Sequence, residues 1–130
     1  MFQITTLDIA SIIHEANRAC GEVIGEPLLP WDEAPEYQRT ATHNGVLMYI
    51  DSYAAGVPVT PSMSHQKWME GLLADGWEWG LVKDQTLKQH PCLVEYDELP
   101  VKQRLKDSIM DALINQFLVQ EWHGFIEIVR

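Results

Sequence analysis

Aromatic and basic side chains are concentrated in one passage of the chain, between Lys67 and Lys106. It holds six of the nine basic residues and four large aromatics: Lys67, Lys83, Lys88, Lys102, Arg104, Lys106, Trp68, Trp77, Trp79 and Tyr96. Flat rings stack on tryptophan, and cationic side chains bind phosphate oxygens. A base stacked on an aromatic side chain contributes about 1–3 kcal/mol. The combination predicts a binding site for an anionic small molecule that carries a flat ring.

The same residues also allow a structural interpretation. Tryptophans beside short strands in a small domain often pack in the core, and lysines in loops are usually solvated. Alternation along a strand places Trp77 and Trp79 on one face, so we expect them to share a role, with at least one in the core. Trp68 lies on a predicted helix next to polar Gln66 and Lys67. We therefore expect Trp68 to reach a pocket.

Catalytic and metal-binding motifs are weak. The segment "HEANR" begins like the zinc motif H-E-x-x-H, but Arg18 stands where the second histidine ligand is needed. No nucleophile elbow, phosphate-binding glycine loop or dinucleotide fingerprint is present. The acidic pairs Asp32-Glu33 and Asp97-Glu98 precede predicted helices, where acids favour the helix dipole. We expect a protein that is not an enzyme and that uses no metal or cofactor.

The bulk composition restricts the class of protein. A chain of 130 residues is expected to form a single domain over residues 1–130. The formal net charge of −10 argues against nucleic acid as a partner, because phosphate binding depends on basic residues. The sequence offers no membrane span and no signal peptide, so a cytoplasmic location is expected. Cys20 and Cys92 lie far apart, which suggests buried thiols without a zinc site or disulfide.

Four helices are predicted from apolar periodicity and capping residues. The first begins with Thr6 as its cap, the second begins at Pro35, the third takes Ser62 or Ser64 as its cap, and the fourth begins at Pro100. In the fourth helix one apolar face is predicted, with other residues toward water. That face comprises Leu105, Ile109, Ala112, Leu113 and Phe117, while Lys102, Lys106, Asp107 and Asp111 are predicted to be solvated.

Short strands complete the predicted secondary structure. "WEWGLV" and "CLVEY" are predicted to form a β-hairpin joined by the polar segment "KDQTLKQ". The C-terminal "GFIEIV" is predicted to be a last strand that pairs with "FQITT" at the other terminus. The predicted fold class is therefore α+β, a helix-dominated single domain of about four helices with a small β-hairpin.

An internal duplication organises these elements. "WDEAPEYQR", residues 31–39, matches "YDELPVKQR", residues 96–104, and each is followed by a long helix. The preceding helices correspond as well, because "IHEAN" from Ile13 aligns with "SHQKW" from Ser64. The first copy spans residues 7–56, and the second contains the predicted hairpin as an insertion. Such copies usually pack about a pseudo-twofold axis, so the groove between them is a candidate cavity.

The passage from His65 to Arg104 resembles the RyR domain family, found as tandem repeats in ryanodine receptors and as short stand-alone proteins of bacteria and phages. The family pattern is H-x-x-W on a helix, G-W-x-aromatic-G, a basic residue with Asp, and H-P-x-L-V-x-aromatic-x-x-L-P before a basic helix. This sequence has each part: His65 and Trp68, Gly76 to Gly80, Lys83-Asp84, His90 to Val94, Tyr96, Leu99-Pro100 and Arg104. The core of the resemblance lies within residues 64–107.

The resemblance implies a compact module without catalysis. Members in the receptor repeats bind adenine nucleotides with the helical tryptophan stacked on the ligand, and stand-alone members are associated with sensing nucleotide-derived signals. By position, Trp68 would be the stacking residue, with His90, Lys88 and Arg104 as polar partners. Asn17 stands where the receptor repeats have a second tryptophan, so a ring clamped from both sides is not expected.

Three functional hypotheses follow. The first is a binding module for an adenine nucleotide, ADP-ribose or cyclic nucleotide, acting as a sensor or a sequestering protein, with no cofactor. Its ligand-binding residues would be Trp68, His90, Lys88, Arg104, Trp77, Trp79, Lys83, Tyr96 and Asn17. The alternative is a protein–protein interaction module, in which Trp31, Trp122 and the terminal strands form a homo-oligomer or dock a partner. Phosphoester or glycosidic hydrolysis is a third class.

Overall fold

The computed structural model describes all 130 residues, and most of them are helical. The four helices are α1 (Thr6–Ile24), α2 (Glu36–Ala54), α3 (Pro61–Ala74) and α4 (Val101–Trp122). The four strands are β1 (Phe2–Thr5), β2 (Glu78–Trp79), β3 (Gln89–His90) and β4 (Ile126–Val129). The predicted class, a helix-dominated α+β domain, is confirmed.

The caps of two helices differ from the prediction. Thr5 caps α1 through its side-chain hydroxyl, and Thr60 caps α3 in the same way. The predicted caps Thr6 and Ser62 or Ser64 are therefore wrong. Each cap lies before the predicted one, and α3 begins with a proline at its first position, where the missing N–H costs nothing.

The two strand pairs are both parallel. β1 pairs with β4, with Phe2 opposite Ile126, which confirms that the terminal segments pair. β2 pairs with β3, with Glu78 opposite Gln89, so the predicted hairpin is wrong in direction and in its second strand. The chain first reverses through an antiparallel bridge between Asp84 and Gln89. Pro91 follows β3 directly and has no N–H to continue a ladder, so "CLVEY" cannot extend the strand pair.

The main core lies between α1, α2 and α4. Its fully buried side chains include Ile9, Ile13, Val46, Tyr49 and Ile114. A smaller cluster lies beneath the insertion and consists of Met69, Leu72, Trp77 and Leu93. Together these two clusters fix the helices on either side of the insertion.

The apolar face predicted for α4 is correct only in part: Leu113 and Phe117 pack partly buried against the main core, but they are not its fully buried positions. The buried positions are Met110, Ile114 and Leu118, at a spacing of four, whereas Leu105 is exposed. Residues Lys106 and Asp107, predicted to be solvated, are only partly exposed. The helix contacts both α1 and α3, so its buried surface is set by two neighbours and not by one apolar stripe.

The duplication is visible in the order of elements. Each copy consists of a helix, a short 3₁₀ turn and a second helix: α1, Trp31–Glu33 and α2 in the first, and α3, Tyr96–Glu98 and α4 in the second. Strands β2 and β3 lie between α3 and the second turn, so they belong to the insertion. Pro35 and Pro100 precede the second helices at equivalent positions.

A buried histidine makes the same hydrogen bond in both copies. His14 Nε2 donates to the carbonyl of Leu29 over 2.7 Å, and His65 Nε2 donates to the carbonyl of Val94 over 2.7 Å. Each carbonyl lies two residues before the aromatic residue of its 3₁₀ turn. The histidines therefore anchor the turns to the helices in the same way, which explains why both copies keep them.

Gly45 and Met110 occupy equivalent positions in α2 and α4, and they contact each other. A contact between equivalent residues lies on the axis that relates the two copies. The absence of a side chain at Gly45 makes room for the end of the Met110 side chain. The pseudo-twofold axis therefore passes between these two helices.

We expect Gly21→Ala and Gly71→Ala to change stability in opposite directions. A Cβ at Gly21 would overlap the backbone carbonyl of Glu26, which must shift, whereas a Cβ at Gly71 meets no atom within 4 Å. Gly21→Ala should lower the free energy of unfolding by about 1–3 kcal/mol. Gly71→Ala should raise it by roughly 0.5–1 kcal/mol through helix propensity. Urea unfolding measures both, and equal effects would contradict the close approach at Gly21.

Candidate functional site

A cavity of about 160 Å³ lies between the two copies, and we call it the axial cavity. Gly45 and Met110, which mark the axis, both line it. Several other lining residues also come in equivalent pairs: Asn17 with Trp68, Ala41 with Lys106, and Thr42 with Asp107. The groove predicted between the copies therefore exists, and it lies on the pseudo-twofold axis.

The chemistry of the axial cavity is asymmetric. The second copy contributes Trp68, Lys106 and Asp107 where the first copy has an amide, a methyl group and a hydroxyl. The insertion adds Lys83 and His90, which have no counterpart in the first copy. Most of the ring and charge chemistry therefore comes from the second half of the chain.

Trp68 forms an aromatic wall of the axial cavity. Its ring stacks on that of His65 with centroids 5.4 Å apart and an interplanar angle of 29°. The ring of His90 meets it nearly at right angles, with centroids 5.0 Å apart. Because His65 is itself held by the Val94 carbonyl, the indole has a fixed support. Trp68 remains half-buried and can accept a further flat ring.

His90 is a neutral hydrogen-bonding group. Its Nδ1 accepts the N–H of Cys92 over 3.0 Å, which leaves the proton on Nε2 when the ring is neutral. Burial, together with the nearby charges of Lys83 and Lys106, lowers the pKa of His90 to about 3. At neutral pH this imidazole is a hydrogen-bond donor and not a cation.

We expect the His90 ring to stay neutral from pH 8 down to pH 5, because its pKa of about 3 lies far below that range. In nitrogen-15 correlation spectra its signals should show a proton on Nε2 and should not move across the range. The exposed His123 provides an internal comparison in the same spectra. Titration of His90 near pH 6 would contradict the burial described here.

Two lysines bring positive charge to the axial cavity. Lys106 Nζ lies 3.7 Å from the Glu26 carboxylate and is partly neutralised by it. Lys83 makes no ion pair. Although Lys83 as a residue is exposed, it lines the cavity, and desolvation lowers the pKa of its ammonium group. An anion beside Lys83 would remove that unfavourable effect.

Asp107 is a desolvated carboxyl group in the same cavity. Burial raises its pKa to about 7, against the opposing effect of the Lys106 charge. His65 Nδ1 lies 3.7 Å from Asp107 Oδ2, which is too long for a hydrogen bond. The carboxyl group is therefore poorly compensated by the protein itself.

A second cavity of about 610 Å³, the side cavity, shares Tyr37, Ala41 and Trp68 with the first. Trp77 also lines it, and its indole N–H is buried without an acceptor in the protein. Lys88 lies on the same wall, where its Nζ donates to the Asp75 carbonyl over 2.8 Å. Trp68 therefore lies between the two cavities. A ligand larger than one ring could occupy both of them.

The structure brings together some of the residues predicted for the site and separates others. Asn17, Trp68, Lys83 and His90 line the axial cavity; Trp77 and Lys88 line the side cavity; Trp79, Tyr96 and Arg104 line neither. The first four therefore form the candidate site, with the side cavity as its extension.

The three outlying residues have structural explanations. Arg104 donates to the carbonyls of Leu99 and Asp97, over 3.2 and 2.8 Å, and its guanidinium lies over the Tyr96 ring. Its donors thus hold the second 3₁₀ turn. The prediction that Trp77 and Trp79 share a face is wrong, because β2 begins only at Glu78; Trp77 is buried in the smaller cluster and Trp79 is exposed.

Sequence reasoning missed Asp107, and it included Lys106 in the basic passage but placed both residues toward water. The duplication held a usable signal, because their counterparts Ala41 and Thr42 occupy the second helix of the first copy. Aligning all four helices about the axis would have placed these positions at the groove. Cys92 also lines the cavity, and burial raises the pKa of its thiol, as expected for an inert cysteine.

Two further properties bear on the class of site. None of the helices combines the length and apolar character that crossing a bilayer requires. No three histidine, cysteine, aspartate or glutamate side chains are grouped closely enough to hold a metal ion. The axial cavity is thus built from aromatic, amide, lysine and single carboxyl groups.

Comparison with known families matches the model of the RyR domain to residues 57–123, which is just over half of the chain. This segment contains α3, the insertion and α4, and thus Trp68, Lys83, His90 and Asp107. The first copy, with Asn17, lies outside it. The match extends beyond residues 64–107 on both sides, and it confirms the family resemblance. The chain belongs to the RyR domain family.

Proposed function

We propose that this protein is a noncatalytic module that binds a nucleotide-like anionic small molecule in the axial cavity. The observation that carries this proposal is the presence of the Trp68 ring, Lys83 and Lys106 in one cavity. The chain as a whole carries a net charge of −10, so positive charge collected at a cavity is notable. The ring would stack on Trp68, and the anionic group would pair with Lys83.

The size of the two cavities favours an adenine nucleotide, ADP-ribose or a cyclic nucleotide over a smaller anion. The axial cavity of about 160 Å³ is small for a whole nucleotide. The adjoining side cavity adds about 610 Å³ and shares Trp68 with it. Ligand pockets commonly measure about 300–1,000 Å³. A ligand stacked on Trp68 would therefore extend from one cavity into the other.

The polar groups of the axial cavity support binding without turnover. His90 is a poor general base because its pKa is lowered to about 3. Cys92 is a poor nucleophile because burial raises its pKa. Asp107 is the group whose pKa of about 7 would suit acid–base chemistry, so recovery of the intact ligand distinguishes binding from hydrolysis. A module of this kind would sense or sequester a nucleotide signal.

The proposal is tested by thermal unfolding of the wild-type protein with AMP, ADP, ATP, ADP-ribose and cyclic AMP. A ligand present at one hundred times its dissociation constant stabilises a protein by about 2.7 kcal/mol. We expect at least one compound to raise the unfolding temperature and to be recovered unchanged by mass spectrometry. No stabilisation by any of them would contradict the proposal, and consumption of the ligand would assign an enzyme instead.

A second candidate function, a homo-oligomer or docking module, is favoured by an exposed apolar end. Phe2, Trp122 and Phe125 are 68%, 76% and 68% exposed, and they lie on or next to β1, β4 and the end of α4. Neither outer edge of the β1–β4 pair is hydrogen-bonded to a further strand. Trp31, predicted to join this surface, instead packs partly against the main core.

Light scattering at several protein concentrations tests the second candidate. We expect a mass that rises with concentration in the wild-type protein and stays at that of one chain in Trp122→Ser. The effect follows because an exposed tryptophan at an interface commonly contributes about 2 kcal/mol or more. A monomer mass at all concentrations in the wild-type protein would exclude self-association through this end.

A further inference from the structure

Two hydrogen-bond acceptors in the axial cavity have no partner in the protein. The Oδ1 atom of Asn17 is buried and accepts no hydrogen bond. The carboxyl group of Asp107 makes no hydrogen bond, and its side chain is only 17% exposed. Asn17 comes from α1 in the first copy and Asp107 from α4 in the second, so the two copies each supply one acceptor.

The fold itself does not require an aspartate at the position of Asp107. A buried polar group without a hydrogen bond costs about 1–3 kcal/mol, and a carboxyl group more. At the position equivalent to Asp107, the first copy has Thr42, whose hydroxyl donates to the Gln38 carbonyl over 2.9 Å. In the first copy, the same helical position thus holds a residue whose polar group is hydrogen-bonded to the backbone. A residue that lowers stability within a cavity indicates a role in binding.

A third group next to them is also an acceptor. His65 Nε2 donates to the Val94 carbonyl, so in the neutral ring Nδ1 carries a lone pair. This Nδ1 faces Asp107 at 3.7 Å. When Asp107 is ionised, its carboxylate and this lone pair repel each other, and a hydrogen-bond donor placed between them would relieve the repulsion.

We propose that Asn17 and Asp107 recognise the ligand by accepting hydrogen bonds from its donor groups, which are sugar hydroxyls or a ring amino group. This inference rests on the proposed function and adds the direction in which the ligand binds. The donor-bearing part faces Asn17 and Asp107, and the anionic part faces Lys83. A carboxylate that accepts hydrogen bonds from ribose hydroxyls is a common arrangement in nucleotide-binding proteins.

The ligand side of this inference is tested with analogues of AMP on the wild-type protein. Calorimetry compares AMP with 2′-deoxy-AMP and 3′-deoxy-AMP, which each lack one hydroxyl, and with inosine monophosphate, which lacks the amino group. Loss of a hydrogen bond to a charged acceptor should weaken binding roughly 10- to 100-fold. A loss confined to the deoxy analogues identifies the sugar as the donor, and a loss confined to inosine monophosphate identifies the ring.

The protein side is tested with Asp107→Asn, Asp107→Thr and Asn17→Leu. Asp107→Thr copies the residue found at the equivalent position of the first copy, so it should fold even if another variant does not. Each variant should bind AMP roughly 10-fold or more weakly. The analogue that binds poorly to the wild-type protein should lose no further affinity on the Asp107 variants. Asp32→Asn, which removes an exposed carboxylate outside both cavities, should bind as the wild-type protein does.

The outcomes separate the two proposals. If the wild-type protein binds AMP, and if all analogues and variants bind equally well, the acceptor role is overturned while the proposed function stands. If none of AMP, ADP, ATP, ADP-ribose and cyclic AMP binds the wild-type protein, the proposed function fails and this inference fails with it. Weaker binding of one analogue class to the wild-type protein, together with weaker binding of AMP to the Asp107 variants, supports both proposals.

Discussion

We expect Trp68→Ala to remove most of the ligand-induced stabilisation while the four helices remain folded. The indole supplies the ring face of the axial cavity and one wall of the side cavity, so its loss removes stacking in both. Stacking of one base on an aromatic ring contributes about 1–3 kcal/mol. His65 and His90 also lose the ring against which they pack. The gain of about 2.7 kcal/mol expected for a ligand at one hundred times its dissociation constant should thus fall by about 1–3 kcal/mol, to near zero at the upper end of that range.

Two further variants separate binding from folding. Trp68→Leu keeps apolar volume against the cluster of Met69 and Leu72 but removes the ring, so it should be more stable than the alanine variant and equally deficient in binding. Trp122→Ala removes a tryptophan that is 76% exposed and lines neither cavity, so it should bind as the wild-type protein does. Thermal unfolding with and without ADP-ribose measures all three. Undiminished stabilisation of Trp68→Leu would contradict a stacking role.

We expect Asp107→Asn to make the ligand-free protein more stable at neutral and alkaline pH. The folded chain holds the Asp107 proton up to a pKa of about 7, whereas the ordinary value is 3.8. Between these values the folded state binds more protons than the unfolded state, so the contribution of Asp107 to stability falls as pH rises. The buried ionised carboxylate therefore destabilises the fold fully above pH 7 and not at all below about pH 4. Because one pKa unit corresponds to about 1.4 kcal/mol, we expect a gain of roughly 1–3 kcal/mol at pH 8.

Urea unfolding at pH 5 and pH 8 measures this effect. The difference in the free energy of unfolding between Asp107→Asn and the wild-type protein should be larger at pH 8 than at pH 5. Asp32→Asn supplies the matched control, because that carboxylate is exposed and its variant should show no such difference. A loss of stability in Asp107→Asn at pH 8 would mean that the carboxylate is compensated within the fold. Higher stability combined with weaker AMP binding is the result that a purely structural role would not give.

The helices and the duplication could be predicted from the sequence because their signals are local. Pro35 and Pro100 fix two helix starts, and the paired segments around Trp31 and Tyr96 fix the repeat. The insertion could not be predicted in the same way. Its strands have two residues each and pair in parallel, so tertiary contacts decide their direction and not an alternating pattern.

The candidate site was predictable only in part. Trp68 and His90 stand out by type and spacing, and the structure places both at the axial cavity. Asp107 does not stand out, because a charged residue on a long helix usually faces water. Its burial comes from the packing of α4 between helices of both copies, which no periodicity within α4 records. The role proposed for Asn17 could not be predicted from the sequence, because it rests on the buried Oδ1 atom that has no hydrogen-bond partner in the folded protein.

Nuclear magnetic resonance of the five tryptophan indole N–H signals during titration with ADP-ribose and AMP tests the central claim most directly. Each signal is assigned by a single Trp→Phe variant. The Trp68 signal should shift with saturation, the Trp77 signal should follow because both residues line the side cavity, and the Trp122 signal should stay in place. A Trp68 signal that does not move with either compound, or a shift confined to Trp122, would contradict a ligand site at the axis of the duplication.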